Sequence, residues 1–312
     1  VKVLLAGASS TFGRPLTDEL IREGHEVIGL TRSRSKAREI ERRGVRALVA
    51  DVFDRAELTA ALVRAEPEAV VSLLITLPKN GPLRPSQVHP NLHLWGTGVP
   101  NLIEAARKAG AHRLVAESFV FAYGYGQYGP KPLTEADVPT GGGVIDGQAQ
   151  ILSGLRKLER TVIEAEGLDG MVLRFGGRHG VRVPMRTAMA RALRCRLPVL
   201  PGGGHALLPF VEEGDCASAT AAALLRGAGG EVYNIVDDRP VEMRDYASAL
   251  SASIGAPPPK TIPLWLVNRL APYMACVLDH TRLPVSNEKA KLRLDWEPKY
   301  PTIEAAFAAG VG

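Results

Sequence analysis

The chain has 312 residues, 46% of them hydrophobic, with 38 basic against 33 acidic side chains and a formal net charge of +5. That length buries one large core and a smaller satellite lobe. Cys195, Cys216 and Cys276 have neither paired nor metal-like spacing, which argues against a disulfide framework and for a reducing compartment. An apolar run of about 18 residues is lacking, as is a leader pattern, so a cytoplasmic protein without a membrane partner is expected. The modest basic excess lacks the interleaved aromatics of a nucleic-acid surface.

Apolar runs short enough for buried parallel strands fall at 2–6, 26–30, 47–50, 69–75, 113–117 and 171–175. Helical spacing occupies 11–23, 56–65, 98–109 and 148–166 between them. Gly24 and Gly110 stand where a left-handed C-cap residue is cheap, and Glu66-Pro67 stops a third helix. Strands separated by helices predict a parallel α/β sheet covered on both faces.

Beyond residue 178 the texture changes, with Pro198, Pro201, Gly202-Gly203-Gly204 and Pro209 breaking up short apolar pieces. A helix at 215–225, a strand at 232–236 and a helix at 242–254 are expected there. Pro257-Pro258-Pro259 forms a stiff spacer before an apolar stretch at 263–274. The expected division is 1–178 for a nucleotide-binding domain and 179–312 for a smaller lobe over the C-terminal ends of the strands, with strands and helices open to exchange between the two. Such a lobe closes the crevice in which open α/β sheets hold ligands.

The first strand runs into Gly7-Ala8-Ser9-Ser10-Thr11-Phe12-Gly13. Gly7 permits a sharp reversal, Gly13 lets a helix pack against the strand, and the helix amides face a pyrophosphate. Ser10 stands where a central glycine is usual, and its hydroxyl and that of Thr11 are available as phosphate donors. The second strand ends in Thr31-Arg32-Ser33-Arg34 rather than an acidic residue that would hold the ribose hydroxyls of NAD. A guanidinium at Arg32 or Arg34 suits a 2′-phosphate, which favours NADP over NAD. Asp51 and Val52 after the third strand, and Leu73 near the end of the fourth, complete the candidate cofactor set of Gly7, Ser9, Ser10, Thr11, Phe12, Gly13, Arg32, Arg34, Asp51, Val52 and Leu73. The seven histidines show no metal-ligand spacing, and no metal is expected.

With these residues the chain resembles the extended short-chain dehydrogenase/reductase superfamily, specifically its atypical members similar to NAD-dependent epimerases and dehydratases. The resemblance also rests on Asp51-Val52, Gly96-Thr97, Asn101-Leu102-Ile103-Glu104-Ala105-Ala106 and Leu173-Arg174-Phe175-Gly176. In the second half it rests on Pro209-Phe210-Val211, Tyr233-Asn234-Ile235-Val236, Ser286-Asn287 and Trp296-Glu297-Pro298. It implies a Rossmann-type doubly wound sheet with a C-terminal substrate lobe, a nicotinamide cofactor, a small-molecule carbonyl or alcohol substrate, and a homodimer.

Counting from Leu158-Glu159 and Arg174, the Tyr and Lys of the superfamily fall at Ile151 and Leu155, both apolar. His93 replaces a frequent Asn, and Glu212-Glu213 a usual His-Val. Candidates for the displaced proton transfer are Ser118 at the end of the fifth strand, Tyr123 and Tyr125 in the loop after it, and His179, whose ordinary pKa suits exchange near neutrality. The expected function is an NADP-preferring oxidoreductase, or an enzyme like an epimerase or dehydratase, with a non-standard proton-transfer group. A cofactor-bound sensor or scaffold and a non-redox lyase or cyclase are the alternatives.

Overall fold

A computed structural model describes residues 1–78, 81–138 and 145–312. Strands β1 (Lys2–Ala6), β2 (Glu26–Thr31), β3 (Arg46–Val49), β4 (Ala69–Ser72), β5 (Arg113–Phe119) and β6 (Asp169–Phe175) belong to one parallel sheet. Helices α1 (Gly13–Arg22), α2 (Arg34–Glu41), α3 (Arg55–Ala65), α4 (Val99–Lys108) and α5 (Gln148–Ile163) link them. The spatial order is β3-β2-β1-β4-β5-β6, with β1 running beside both β2 and β4. Val3, Leu4, Leu5 and Ala6 are wholly buried because helices cover both faces.

The two faces form separate cores. Leu4, Ile28, Leu62, Val70 and Leu114 pack with α3, α4 and α5. Leu5, Leu16, Leu20, Val71 and Leu173 pack on the other side. On α5 the buried residues Ile151, Leu155, Leu158 and Val162 recur at helical spacing and face the sheet. A Cβ on Gly154 would come within 2.4 Å of Leu92 Cδ2, so this glycine lets α5 approach the segment before α4 closely.

Three elements differ from the sequence expectation. The fourth strand stops at Ser72 rather than residue 75, because its partner β1 ends at Ala6, opposite Ser72. The basic run after Arg32 is the helix α2, whose N-cap Ser33 accepts a hydrogen bond from Lys36 N. A helix α6 (Pro184–Arg194) occupies a stretch to which no element was assigned, with Pro184 at its first turn, where the missing N–H costs nothing.

The second half adds β7 (Gly177–His179), β8 (Phe210–Glu212), α7 (Glu213–Arg226), β9 (Val232–Ile235), α8 (Met243–Ser253), α9 (Leu264–Leu270) and α10 (Ile303–Ala308). Strand β9, expected with the smaller lobe, pairs in parallel with β6 as the far edge of the main sheet. The lobe has its own core of Leu193, Phe210, Met243, Tyr246, Leu250, Ile303 and Phe307. Among the described residues no helix is long and apolar enough to cross a membrane. Cys195 is exposed, while Cys216 and Cys276 are buried free thiols.

Candidate functional site

At the end of β1 the chain reverses through Gly7, whose φ of +102° is one that a side chain would strain. A Cβ on Gly13 would lie 2.2 Å from the Gly7 carbonyl oxygen, so the first turn of α1 sits directly against the turn before it. Ser10 N donates to Gly7 O at 2.9 Å, and Ser10 Oγ accepts from Gly13 N at 2.8 Å. The serine at the usual glycine position therefore braces the turn and occupies one helix amide, while its own O–H remains a donor. The Phe12 ring faces inward, edge-on to Phe175 with centroids 5.4 Å apart, and only its backbone belongs to the turn.

Above this turn lies a cavity of about 560 Å³ along the C-terminal ends of β1, β2, β3 and β4. Gly7, Ser9, Ser10, Arg32, Asp51, Val52 and Leu73 all line it; Thr11, Phe12, Gly13 and Arg34 do not. Asp51 Oδ1 accepts from Phe53 N at 3.0 Å, and Asn101 Nδ2 donates to Val52 O at 2.9 Å. These bonds fix the loop after β3 in shape. Neither Arg32 nor Arg34 has a carboxylate partner among the described residues, and both are exposed.

Sequence reasoning passed over Phe53, Thr76 and Pro90 in this lining, and took His93 only as a departure from a frequent Asn. The Phe53 and His93 rings stack face to face, 4.5 Å apart and 4° from parallel. Thr76 is held by a reciprocal pair of bonds, its N–H to Asn91 Oδ1 and its C=O from Asn91 Nδ2, both 2.7 Å. No local motif announces these residues, because they reach the cavity from three separate segments, at Phe53, at Thr76 and at the helical turn Pro90–His93.

The four candidate proton-transfer residues lie outside that cavity's lining. Ser118 is wholly buried and donates to Glu159 Oε1 at 2.5 Å. Glu159 is also gripped by Arg174, Nε at 2.9 Å and Nη2 at 2.7 Å, in an ion pair almost closed to solvent. Tyr123 donates to the Thr134 carbonyl oxygen at 2.8 Å and accepts from Asn234 Nδ2 at 3.0 Å. The Arg174 guanidinium lies 4.6 Å from its ring centroid, yet burial outweighs the cation and raises the phenol above its ordinary range. Tyr125 shares a 2.6 Å hydroxyl contact with Tyr273, and burial raises it well above the ordinary range too. Neither Tyr123 nor Tyr125, candidates for the displaced proton transfer, is acidified by its surroundings.

His179 is likewise corrected as a group that exchanges protons near neutrality. It is fully enclosed at the end of β7, and desolvation lowers its pKa to about 4. Ile151 and Leu155 are each 3% exposed and belong to the sheet core. The buried face of α5 is thus apolar at these two positions, and its buried carboxylate, Glu159, is taken up by Ser118 and Arg174.

The comparisons with known proteins agree with this geometry. The NAD(P)H-binding family matches residues 7–177. The chain belongs to the extended short-chain dehydrogenase/reductase superfamily. It is an NAD(P)-dependent enzyme of that kind, and its cavity fits a dinucleotide: a glycine turn at a helix start, an Arg32 rim and a braced loop at Asp51 and Val52.

Over 306 residues this dehydrogenase/reductase is 34% identical to a 3-diazoavenalumate denitrifying reductase from a Streptomyces species, covering 97% of each chain. A UDP-glucose 4-epimerase from Mycolicibacterium smegmatis is 25% identical over 319 residues, 97% of this chain and 96% of its own. The structure of Thermus thermophilus UDP-glucose 4-epimerase with NAD matches in fold with a TM-score of 0.78. Its identity is 21%, over 98% of this chain and 96% of that one.

Proposed function

We propose that the chain is an NADPH-dependent reductase of a small diazo compound in its diazonium form, replacing the nitrogen with hydride to leave a C–H bond. One observation carries the reading: Ile151 and Leu155, at the positions of the superfamily's Tyr and Lys, are core residues, and Ser118, Tyr123 and Tyr125 are tied into buried hydrogen bonds. A bound reduced nicotinamide supplies hydride, two electrons with one hydrogen nucleus. A carbonyl that takes up hydride becomes an alkoxide and calls for an acid. A diazonium carbon, R–N2⁺, that takes up hydride becomes R–H and releases N2, and the charges balance with no proton donor. A site without its general acid is suited to the second reaction. The 34% identity to a denitrifying reductase of a diazo compound supports the same class.

The chain's own residues have holding roles. Gly7, Ser9 and Ser10, which line the cavity, would hold a diphosphate, with Gly13 letting the first turn of α1 pack against Gly7. Arg32, without a carboxylate partner, is available for a 2′-phosphate. Asp51, Val52 and Leu73, which line the same cavity, would hold the adenine end. The homodimer implied by the resemblance would use the outer faces of α4 and α5; beside them Leu92 and Gly96, before α4, and Ser153 and Gly154 of α5 line a shallow groove.

Two measurements test this. Arg32→Ala is expected to weaken NADPH binding about 10- to 100-fold, the ~1.5–3 kcal/mol of a charge-assisted contact, and to leave NADH binding unchanged. Equal loss for both nucleotides in calorimetric titrations removes the case for NADP. In a turnover assay, NADPH is expected to be consumed with an arenediazonium salt and not with the aldehyde of the same skeleton. Consumption with the aldehyde alone overturns the diazo reading.

A further inference from the structure

The smaller lobe contains a buried acid–base pair that the proposed reaction does not use. His179, at the end of β7, and Asp237, two residues beyond β9, are both closed to solvent, with Nε2 and Oδ2 3.6 Å apart. None of their four side-chain polar atoms has a hydrogen-bond partner among the described residues. The rings of Phe210, Tyr246 and Phe307 surround the imidazole, with centroids 6.1–6.2 Å away. An ion pair so enclosed and without supporting hydrogen bonds is poorly compensated for its lost hydration. The neutral forms, imidazole and carboxylic acid, are the cheaper state. The acid O–H then needs only a small shift to donate to Nε2.

The surroundings divide on that choice: the acids keep Asp237 protonated but favour an imidazolium, and at His179 burial, helped by Arg186, outweighs them. Glu212 of β8, Glu213 and Asp215 of α7, the neighbouring Asp238 and Glu304 of α10 are acidic. Arg186 of α6 is the nearby cation acting on the imidazole, and Tyr246 of α8 faces the pair as a neutral phenol. Asp237 feels Asp215, Asp238 and Glu304 in addition to burial, and its pKa rises to about 9.

We propose that His179 and Asp237 share one proton and form a clasp between the strand that follows the main sheet and the smaller lobe, closed while that proton is held and loosened when it leaves to solvent. Asp237 N donates to Phe210 O at 2.7 Å, and His179 pairs with Glu212 in the β7–β8 ladder, so the pair joins backbone segments that already touch. Deprotonation leaves a carboxylate without hydration near the buried Asp215, while Asp238 and Glu304 are exposed and paired with Lys291 and Arg239.

The sign of the pH dependence follows from the two shifts. Asp237 is protonated in the folded chain and ionised in the unfolded chain from about pH 4 to 9, so it makes stability fall with pH over that span. His179 is neutral in the folded chain and charged in the unfolded chain from about pH 4 to 6.5, so it makes stability rise there. The two cancel below about pH 6.5, and the Asp237 loss is left alone from about 6.5 to 9.

Thermal and urea unfolding of the full chain across that range is the test. In the wild type the unfolding equilibrium constant is expected to grow by up to about tenfold per pH unit from 6.5 to 9. Asp237→Asn, which has no proton to lose, is expected to remove that increment while keeping the increments from groups common to both proteins. Parallel curves for the two proteins overturn the clasp. Histidine nitrogen NMR of the wild type gives an independent reading should the variant not fold. His179 is expected to stay neutral from pH 5 to 8, and an imidazolium titrating near neutrality overturns the assignment.

Discussion

Glu159→Ala is expected to destabilise the chain by about 3–5 kcal/mol, enough to unfold a marginally stable domain. The carboxylate accepts two bonds from Arg174 and one from Ser118, and all three side chains are nearly closed to solvent. Truncation leaves a guanidinium in a dry site with Nη1 already unpartnered, and strands the Ser118 hydroxyl. The loss is therefore the cost of an uncompensated charge more than the value of one contact. Glu159→Leu combined with Arg174→Met is expected to recover most of the loss, because replacing both partners with apolar groups removes the stranded charge. Urea unfolding of the single and double variants measures both. A single variant within about 0.5 kcal/mol of the wild type contradicts the reading, since that is the size of a surface change.

Gly13→Ala is expected to be the most damaging single change for dinucleotide binding. The new Cβ would lie 2.2 Å from Gly7 O and 2.8 Å from Ala8 Cα, and both are backbone atoms that cannot swing aside. The turn must open, at about 1–3 kcal/mol of strain. The amides of α1 move with it, so binding is expected to fall at least about tenfold, each tenfold being ~1.4 kcal/mol. Nucleotide titration beside a thermal melt checks this. Unchanged affinity in a folded variant shows that the turn does not hold the diphosphate.

The fold was legible because its signals are local. The apolar runs that became β1, β2, β5 and β6 are buried on both faces, and such strands show as continuous hydrophobic stretches. Gly7 and Gly13 announced the turn through backbone requirements that few other residues meet. The end of β4 was not legible, since it depends on where β1 stops pairing. Nor was the place of β9, because sequence position alone cannot show that a chain returns to an earlier sheet.

The cavity at the strand ends was half legible. Ser9, Ser10, Arg32, Asp51, Val52 and Leu73 follow strand ends in order, where open sheets bind ligands. Phe53, Thr76 and His93 arrive through tertiary packing. The proton-transfer candidates fared differently because a polar residue at a strand end reads the same whether it faces a crevice or a buried partner. Ser118 found Glu159, Tyr123 found Asn234, and His179 found Asp237. Burial then moved the tyrosines and the histidine away from the neutral range. The absence that sequence did show, apolar residues at 151 and 155, became the strongest functional observation.

The central claim is that hydride chemistry proceeds here without a general acid because the substrate loses nitrogen. NADPH carrying deuterium at its transferable position, incubated with the enzyme and an arenediazonium salt, tests it most directly. Mass spectrometry of the arene and of the released gas is expected to show deuterium on the carbon that bore nitrogen, and one N2 for each nucleotide oxidised. Nitrogen retained in the product, or an arene hydrogen drawn from solvent rather than from the nucleotide, contradicts the account.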